Sequence, residues 1–580
     1  MKAQIQILHE EVFIMKANFP SALNNMKKKV ILVLFLLIPL APSFAQCDDW
    51  IDVSKNGYDQ YGLAVDDEGN IYYGGQFFDS VTVGNHLIIA DTILGPHSVF
   101  IAKVDSNGNL LWERHFTHTE NLIGIFVPEL AWSNGKLYVS GMYYGPLVDE
   151  SGETLLVSPN YFSFYVMSLM DEDGQISASK SFATTNNGFV TYTGLYGITV
   201  GSNGKIFITG RFRDTVTFDT ITLSSPGVRV TFIACLDGNL NTVWAKQSFH
   251  TTINTTSISR GYSIVTDNHF NVLIGGFTWK DIQFGNQLFT TNNDAGWNPY
   301  IAKFDSSGSC LWIRGGKGNG VFQNVYALDV NDNDEIFMSS PLEDTLSFNG
   351  TMLDAANGSL YLNKFDVNGN LLWSVQDGID TNSVGYPLIS DLFWKSGQVW
   401  CTGWGGISTG GNENFNGSVF ALQFDENGNE TSFFTTYGCS DSYHIVGDEK
   451  GNIYISGNLR SDSVSVGNIH FMSADTLRGP FLLKLCDVAT VTQDITDNNS
   501  LLLFPNPAAE YFNVEIASAK ETVHVYIADI TGKNLQHKQI SNRSGNVKLQ
   551  FDVSTYPAGS YFVRVISNEN SIVKQLQVVR

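Results

Sequence analysis

The sequence predicts an all-β protein, a seven-bladed β-propeller followed by a small Ig-like β-sandwich. Three observations lead there. A unit of two apolar stretches, each broken by an acidic turn, recurs seven times between residues 47 and 486. Within each stretch, apolar and polar residues alternate with the period of two that belongs to strands. The last copy lacks one strand, and residues 48–53 have the sequence of the missing piece.

Composition limits what such a chain can do. Its 580 residues include 34 Lys plus Arg against 57 Asp plus Glu, a net charge of -23, and 43% are apolar. That apolar share supports a sizeable core and excludes disorder throughout. The acidic surface repels phosphate backbones and anionic lipid heads, so nucleic acid is not an expected partner.

Taken in order, residues 1–25 look neither like a targeting segment nor like part of a core, and translation is expected to start at Met26. Residues 26–46 read as a secretory signal peptide: Met26-Lys27-Lys28-Lys29, an apolar run from Val30 to Leu40, then Ser43-Phe44-Ala45 with small residues at the cleavage positions. The run is about half the length a spanning helix needs, and no later one is longer, so no membrane span is expected. Lipidation of Cys47 is disfavoured by Gln46, which stands where a small residue normally precedes a lipidated Cys.

The repeat region covers 47–486. The first half of its unit, Leu63 to Gly75, returns at 134–141, 203–210, 270–276, 334–338, 397–403 and 451–457. The second half, Phe100 to Trp112, returns at 300–312 and 360–373, with weaker echoes at 232–244, 166–177, 420–430 and 481–486. Asp-x-Asn-Gly turns supply the positive φ that a hairpin needs, so each unit is a small antiparallel sheet. At about 63 residues per unit there is room for four strands and an excursion. The excursion is spelled Asp79-Ser80-Val81-Thr82-Val83 and repeated at 214–218, 344–348 and 462–466; it is expected to be missing from 142–149 and 404–410.

The ends decide between a ring and a solenoid. Leu483-Lys484-Leu485-Cys486 is not followed by the strand that carries Trp112, Trp312 and Trp373 in other copies, whereas Asp48-Asp49-Trp50-Ile51 has the same Trp. A ring closed by its first strand protects an edge that would otherwise be bare. The same register makes Cys47 and Cys486 a candidate disulfide, worth at most about 5 to 6 kcal/mol in the chain-entropy model, with two free thiols as the alternative. Cys235, Cys310, Cys401 and Cys439 read as small buried hydrophobes.

Residues 487–500 are polar and aperiodic, a linker, and the charge changes there: 47–500 hold 49 acidic against 21 basic residues, 501–580 six against eight. The repeats, with their Asp-x-x-Gly-x-Leu-x-Trp turn and strand at Asp105 to Trp112, resemble the β-propeller repeats of bacterial exported proteins. Two enzyme-linked propeller signatures fail by spacing, the sialidase Asp-box and the quinone-dehydrogenase repeat. Residues 501–580, through Pro505, Asn506, Pro507, Gly532, Gly559, Tyr561 and Lys574, resemble the type A sorting domain of the type IX secretion system, with Tyr556 where Leu is usual. By period two this domain is expected to have about seven short strands. The resemblance implies passage through the periplasm and across the outer membrane by the type IX machinery, then release or anchoring at the surface.

Catalytic motifs are weak. Gly406-Ile407-Ser408-Thr409-Gly410 matches a nucleophile-elbow string but lies in a Gly-rich loop. Asp329 to Asp334 opens like a calcium loop but lacks its Gly and closing Glu, so a hairpin turn is the default; calcium is the one cofactor with any sequence support. His115 and His118 sit three apart on a strand and face opposite ways, so no metal site is expected there. Gly316 to Gly320 has no helix after it to bind phosphate. The expected function is an exported, non-catalytic interaction or carbohydrate-binding module, with Trp279, Trp297, Trp394 and Trp404 as aromatics more often used in packing than in ligand stacking. The alternative is a secreted polysaccharide hydrolase or lyase with carboxylates converging on the propeller channel.

Overall fold

The computed structural model describes residues 50–53, 57–77, 80–83, 86–89, 98–118, 125–158, 162–185, 193–253, 257–291, 296–318, 320, 323–342, 344–348, 350–354, 360–377, 388–405, 418–437, 440–459, 463–466, 469–472, 479–486, 501–528, 534–567 and 570–579. Every regular element among them is a strand. The signal peptide, Cys47, Cys439, the linker, Gly406 to Gly410 and Gly532 lie outside these residues.

Seven antiparallel ladders of four strands run along the described chain. Sheet 1 is Gly57–Val65, Ile71–Phe77, Ser98–Val104 and Leu110–His118. Sheet 2 is Ile125–Ser133, Lys136–Tyr143, Ser163–Met170 and Ile176–Thr184; sheet 3 is Gly194–Val200, Ile206–Phe212, Val230–Leu236 and Thr242–Gln247. Sheet 4 is Ser259–Thr266, Val272–Thr278, Asn298–Phe304 and Cys310–Gly315; sheet 5 is Ala327–Val330, Ile336–Pro341, Leu360–Phe365 and Leu371–Asp377. Sheet 6 is Leu388–Lys395, Gln398–Gly405, Ser418–Asp425 and Glu430–Tyr437; sheet 7 is Ser440–Gly447, Ile453–Leu459, Gly479–Leu485 and, from the other end of the chain, Trp50–Val53. The second and third strands are almost wholly buried, as in Ile71–Phe77 and Ser98–Val104, because both faces of each sheet are covered. First strands of successive sheets touch in order, and that of sheet 7 touches that of sheet 1, so the cycle closes.

The recurring turn shows why the sheets stack. In Asp105-Ser106-Asn107-Gly108 the Asp carboxylate accepts from the Asn107 and Asn109 amides at 2.8 and 2.9 Å, locking the turn from within. The equivalent turns of sheets 2, 4 and 6 receive the Trp of the preceding sheet: Trp112 Nε1 donates to Asp171 O at 2.9 Å, Trp244 to Ser306 O at 3.0 Å and Trp373 to Glu426 O at 3.0 Å. Gly174 and Gly308 lie flat on those indoles, and a Cβ there would stand 2.7 Å from ring atoms of Trp112 or Trp244. Each buried indole removes enough apolar surface to contribute on the order of 3 to 5 kcal/mol. Opposite the Trp, a buried Lys pairs within its own sheet, Lys103 with Asp66 at 3.1 Å and Lys303 with Asp267 at 2.8 Å, and also reaches the neighbouring turn.

The junction of the chain ends repeats this register. Trp50 lies opposite Lys484, as Trp112 does Lys103, Trp312 Lys303 and Trp373 Lys364. Lys484 Nζ donates to Ser106 O at 2.8 Å, on the turn of sheet 1. Tyr454 and Leu482 of sheet 7 share a buried cluster with Leu63, Tyr73 and Phe100 of sheet 1.

Excursion hairpins brace adjacent sheets. Thr215–Phe218 and Ile221–Ser224 extend the outer strand of sheet 2, and Ser463–Val466 with Ile469–Met472 extends that of sheet 6. The expectation that 142–149 lacks this hairpin is incorrect. Pro146–Asp149 and Thr154–Val157 form it and pair with Leu110–His118 of sheet 1; Leu147 and Val148 keep the buried face although the Asp-Thr-Val spelling is gone. Lys317–Gly318 is likewise a short brace strand paired with Thr345–Phe348, so these two residues of the Gly316–Gly320 stretch lie in a sheet.

Among the described residues of 501–579 there are five strands, Leu501–Phe504, Tyr511–Ala528, Asn534–Asp552, Gly559–Ser567 and Asn570–Val578, where about seven are expected. The two long strands run on through register shifts near Ile516/Ala519 and Glu521/Val523, so each supplies what period two divides into two elements. Their halves share one core that includes Phe512, Val525, Phe551 and Val563.

The indole contact can be tested against a control glycine. Gly174→Ala and Gly227→Ala both place a Cβ at positive φ, at +69° and +76°, but only the first meets a Trp. Gly227→Ala is expected to cost roughly 1 to 2 kcal/mol and Gly174→Ala about 1 to 3 kcal/mol more, read as a lower thermal midpoint by calorimetry.

Candidate functional site

The first strands that face one another around the cycle share an irregularity. Register shifts fall at Tyr61/Leu63, Phe126/Glu129, Leu195/Gly197, Gly261/Ser263, Ile389/Asp391 and Ser442/His444. A bulge re-aims the side chain that follows it. In sheets 1, 3 and 4 that residue is Leu63, Gly197 or Ser263; in sheets 2, 6 and 7 it is Glu129, Asp391 or His444.

These three ionisable groups converge. His444 Nε2 lies 3.7 Å from Glu129 Oε2, and His444 Nδ1 lies 3.3 Å from Asp391 Oδ2. Asp391 is held by the backbone N–H of Leu392 at 2.9 Å and of Ile445 at 3.1 Å. Sheet 1 stands between sheets 7 and 2 in the cycle, so the His444–Glu129 contact spans the interior of the ring. The side chains remain 24%, 19% and 25% exposed for His444, Glu129 and Asp391, enough to meet water or a small ligand.

Electrostatics assigns the proton. Burial disfavours the charged imidazole, but the Glu129 charge and the hydrogen bond and charge of Asp391 outweigh it and lift His444 to about 9. Burial also raises the Glu129 carboxyl, opposed by His444 and reinforced by Asp391. At neutral pH the cluster is therefore an imidazolium clasped by acids at both ring nitrogens, and neither nitrogen is free to take a proton from a nucleophile.

Asp329 of sheet 5 adds a half-buried carboxyl nearby. Burial pushes it up to about 7, against hydrogen bonds from the Trp394 and Val330 amides at 2.6 and 2.8 Å, and the Asp391 charge pushes the same way. Its orientation toward Trp394 separates it from the rest of the calcium-like string. Asn331 Oδ1 accepts from Asn333 and Glu335 amides in a hairpin turn, and Asp334 accepts from the Asn268 amide at 2.8 Å. The trio Asp267, His269 and Asp334 could reach a common ion, but Lys303 and Asn271 each occupy Asp267 at 2.8 Å and Asn268 and His269 occupy Asp334. That arrangement ties sheet 4 to sheet 5.

Other residues singled out in the sequence are dispersed. Trp297 stacks on Phe277 with centroids 4.1 Å apart, and Trp394 on Phe337 at 5.3 Å, so both pack within the protein. Trp279 is half-buried, and the Trp404 side chain lies outside the described residues. His115 sits 3.5 Å from Glu113, and the His118 side chain is not among those described. Cys235, Cys310 and Cys401 are free; Cys235 and Cys401 are buried. In the C-terminal region Asn506 Oδ1 accepts from Gln577 N at 2.8 Å, which ties the Pro505-Asn506-Pro507 loop to the last strand. Tyr561 is buried and donates to Pro557 O at 2.8 Å, Gly559 opens its strand, and Lys574 lies opposite Val563.

Sequence reasoning missed Glu129, Asp391 and His444. The available signal was an Asp, Glu or His immediately before the apolar residues that end the first strand, in only three of seven copies, which becomes visible only when the copies are aligned on their bulges. His444 has a folded pKa above its unfolded value, so its stabilisation is full below pH 6.5 and is lost as pH rises through about 9. His444→Gln is expected to flatten the fall in thermal midpoint between pH 6 and 10, a difference on the order of 1 to 3 kcal/mol.

The comparisons with known proteins bear first on the C-terminal region. Residues 502–579 match the model described as the secretion system C-terminal sorting domain. No curated protein matches the chain. Among solved structures, a member of the DUF4221 family from Bacteroides vulgatus is 10% identical over 62% of this chain and 92% of its own, with a TM-score of 0.30. The Bombyx mori GH32 beta-fructofuranosidase BmSUC1 is 12% identical over 66% of this chain and 85% of its own, at 0.26. A glycoside hydrolase family 32 protein from Bifidobacterium adolescentis is 9% identical over 74% and 79%, at 0.24. The sorting domain marks the chain as a secreted or cell-surface protein.

Proposed function

We propose that the chain is an exported, non-catalytic binding protein: residues 47–486 form a seven-bladed β-propeller that takes an extracellular glycan or protein at its axis, and residues 501–580 address it through the type IX machinery. One observation carries the non-catalytic reading. The axial cluster is a histidine kept protonated by two acids, with both nitrogens engaged, which suits a clasp across the ring and hydrogen bonding to a ligand, not general-base chemistry. The second reading, a polysaccharide hydrolase or lyase, draws on Glu129, whose raised carboxyl is the property of a general acid. Under the preferred reading residues 26–46 are removed as a signal peptide, and Cys47 is joined to Cys486. The disulfide proposal draws on the position of Cys47 three residues before Trp50, on the pairing of Trp50 with Lys484 two residues before Cys486, and on the bonded state of the Cys486 sulfur.

Two measurements test this. Incubation of the secreted protein with polysaccharides in parallel with a glycan array is expected to show retention on the array and no soluble oligosaccharide; release that disappears in Glu129→Gln would establish the hydrolase or lyase instead. Non-reducing peptide mapping of the same material is expected to join the peptides of Cys47 and Cys486 and to find no peptide from 501–580, and separate peptides bearing free thiols would refute the link.

A further inference from the structure

Opposite the acid–histidine cluster in the cycle, sheets 3, 4 and 5 bring together a different chemistry. Tyr196, Tyr262 and Tyr326 stand at corresponding places at or just before their first strands, with ring centroids 5.1 and 5.2 Å apart. Their rings are half-buried, so the ladder is partly open to solvent. The Arg260 guanidinium lies 4.7 Å from the ring centres of both Tyr196 and Tyr262, and that of Arg211 lies 5.8 Å from Tyr196.

Arg260 has no acid to answer it. Among the described residues no carboxylate forms an ion pair with it, and its buried Nε has no hydrogen-bond partner. The groups acting on it besides burial are tyrosines and two further arginines, Arg211 and Arg229, and it is pulled down to about 10. In a chain of net charge -23 this is an unusual arrangement, because a buried cation normally keeps its own counter-charge.

We infer that Arg260 and the Tyr196–Tyr262–Tyr326 ladder form a subsite for an acidic saccharide, with the planar guanidinium receiving a uronate carboxylate and the phenols receiving ring hydroxyls. A guanidinium already stacked between aromatic faces presents its fork at little further entropic cost, which favours a bidentate oxyanion over a neutral group. A row of phenols has no use for a bare inorganic anion but matches consecutive sugar hydroxyls. This inference rests on the reading that the ring binds a ligand along its axis, and it names the ligand's class.

Calorimetric titration of the secreted protein with trigalacturonate, maltotriose and sodium sulfate tests it. Trigalacturonate is expected to bind, maltotriose to bind at least tenfold more weakly, Arg260→Gln to lose at least tenfold in trigalacturonate affinity and Tyr262→Phe about threefold. Arg260→Lys, which keeps the charge and loses the fork, covers the case in which Arg260→Gln fails to fold and is expected to lose threefold or more. Maltotriose bound as tightly as trigalacturonate, or trigalacturonate affinity unchanged in the Arg260 variants, would overturn the subsite while leaving axial binding intact. Sulfate binding without trigalacturonate binding would reduce it to an inorganic-anion site and overturn the saccharide claim, and binding of none of the three would overturn it outright.

Discussion

The seating of one sheet's indole and lysine on the next sheet's Asp-x-x-Gly turn is the contact on which the rest of the repeat region depends. It combines burial of an aromatic ring, one hydrogen bond from the indole to a turn carbonyl and a buried lysine bridging two sheets. None of these is unusual alone. Together they explain why the turn needs Gly, because a positive φ is required and a Cβ would enter the ring of the neighbouring Trp. They also fix the relation of one sheet to the next, so that an error in one turn propagates to two sheets. The lysine half of this contact recurs where the chain ends meet, with Lys484 on the Ser106 turn. Closure gives sheet 7 its fourth strand, so Gly479–Leu485 is not left as a bare edge for another chain to extend.

Closure has a consequence for the interior. Once the first strands face one another around a cycle, a residue placed after the bulge of any of them can meet residues from sheets that are not its neighbours. Glu129, Asp391 and His444 use this freedom, and their charges settle into a protonated histidine between two acids. Sheets 3, 4 and 5 use the neighbouring positions for tyrosines with Arg260 among them. The interior thus carries acidic and basic, aromatic walls on one frame, and the repeats themselves have little to do with which residues stand there.

That division explains how much was legible in the sequence. Period-two alternation and the Asp-x-x-Gly-x-Leu-x-Trp string report local geometry, and strands, turns and the pairing of Trp50 with Lys484 follow from them. The hairpin at Pro146–Asp149 escaped because its Asp-Thr-Val spelling had changed while its buried Leu147 and Val148 had not. The five strands at 501–579 escaped because a strand that runs on through a bulge breaks the alternation without ending. The axial residues escaped for a deeper reason. His444 lies 53 positions from Asp391 on the adjoining sheet but 315 from Glu129, and closure of the ring is what brings sheets 7 and 2 within reach of each other.

The most direct test of the closed ring is hydrogen exchange on Ile51→Pro, which removes an amide from Trp50–Val53 and disfavours its pairing with Gly479–Leu485. The account predicts loss of protection throughout Gly479–Leu485 and Ile453–Leu459 and at the adjoining Gly57–Val65 of sheet 1, with Val272–Thr278 of sheet 4 unaffected. Protection lost only at residues 50–53, with sheets 7 and 1 exchanging as in the unaltered protein, would contradict it.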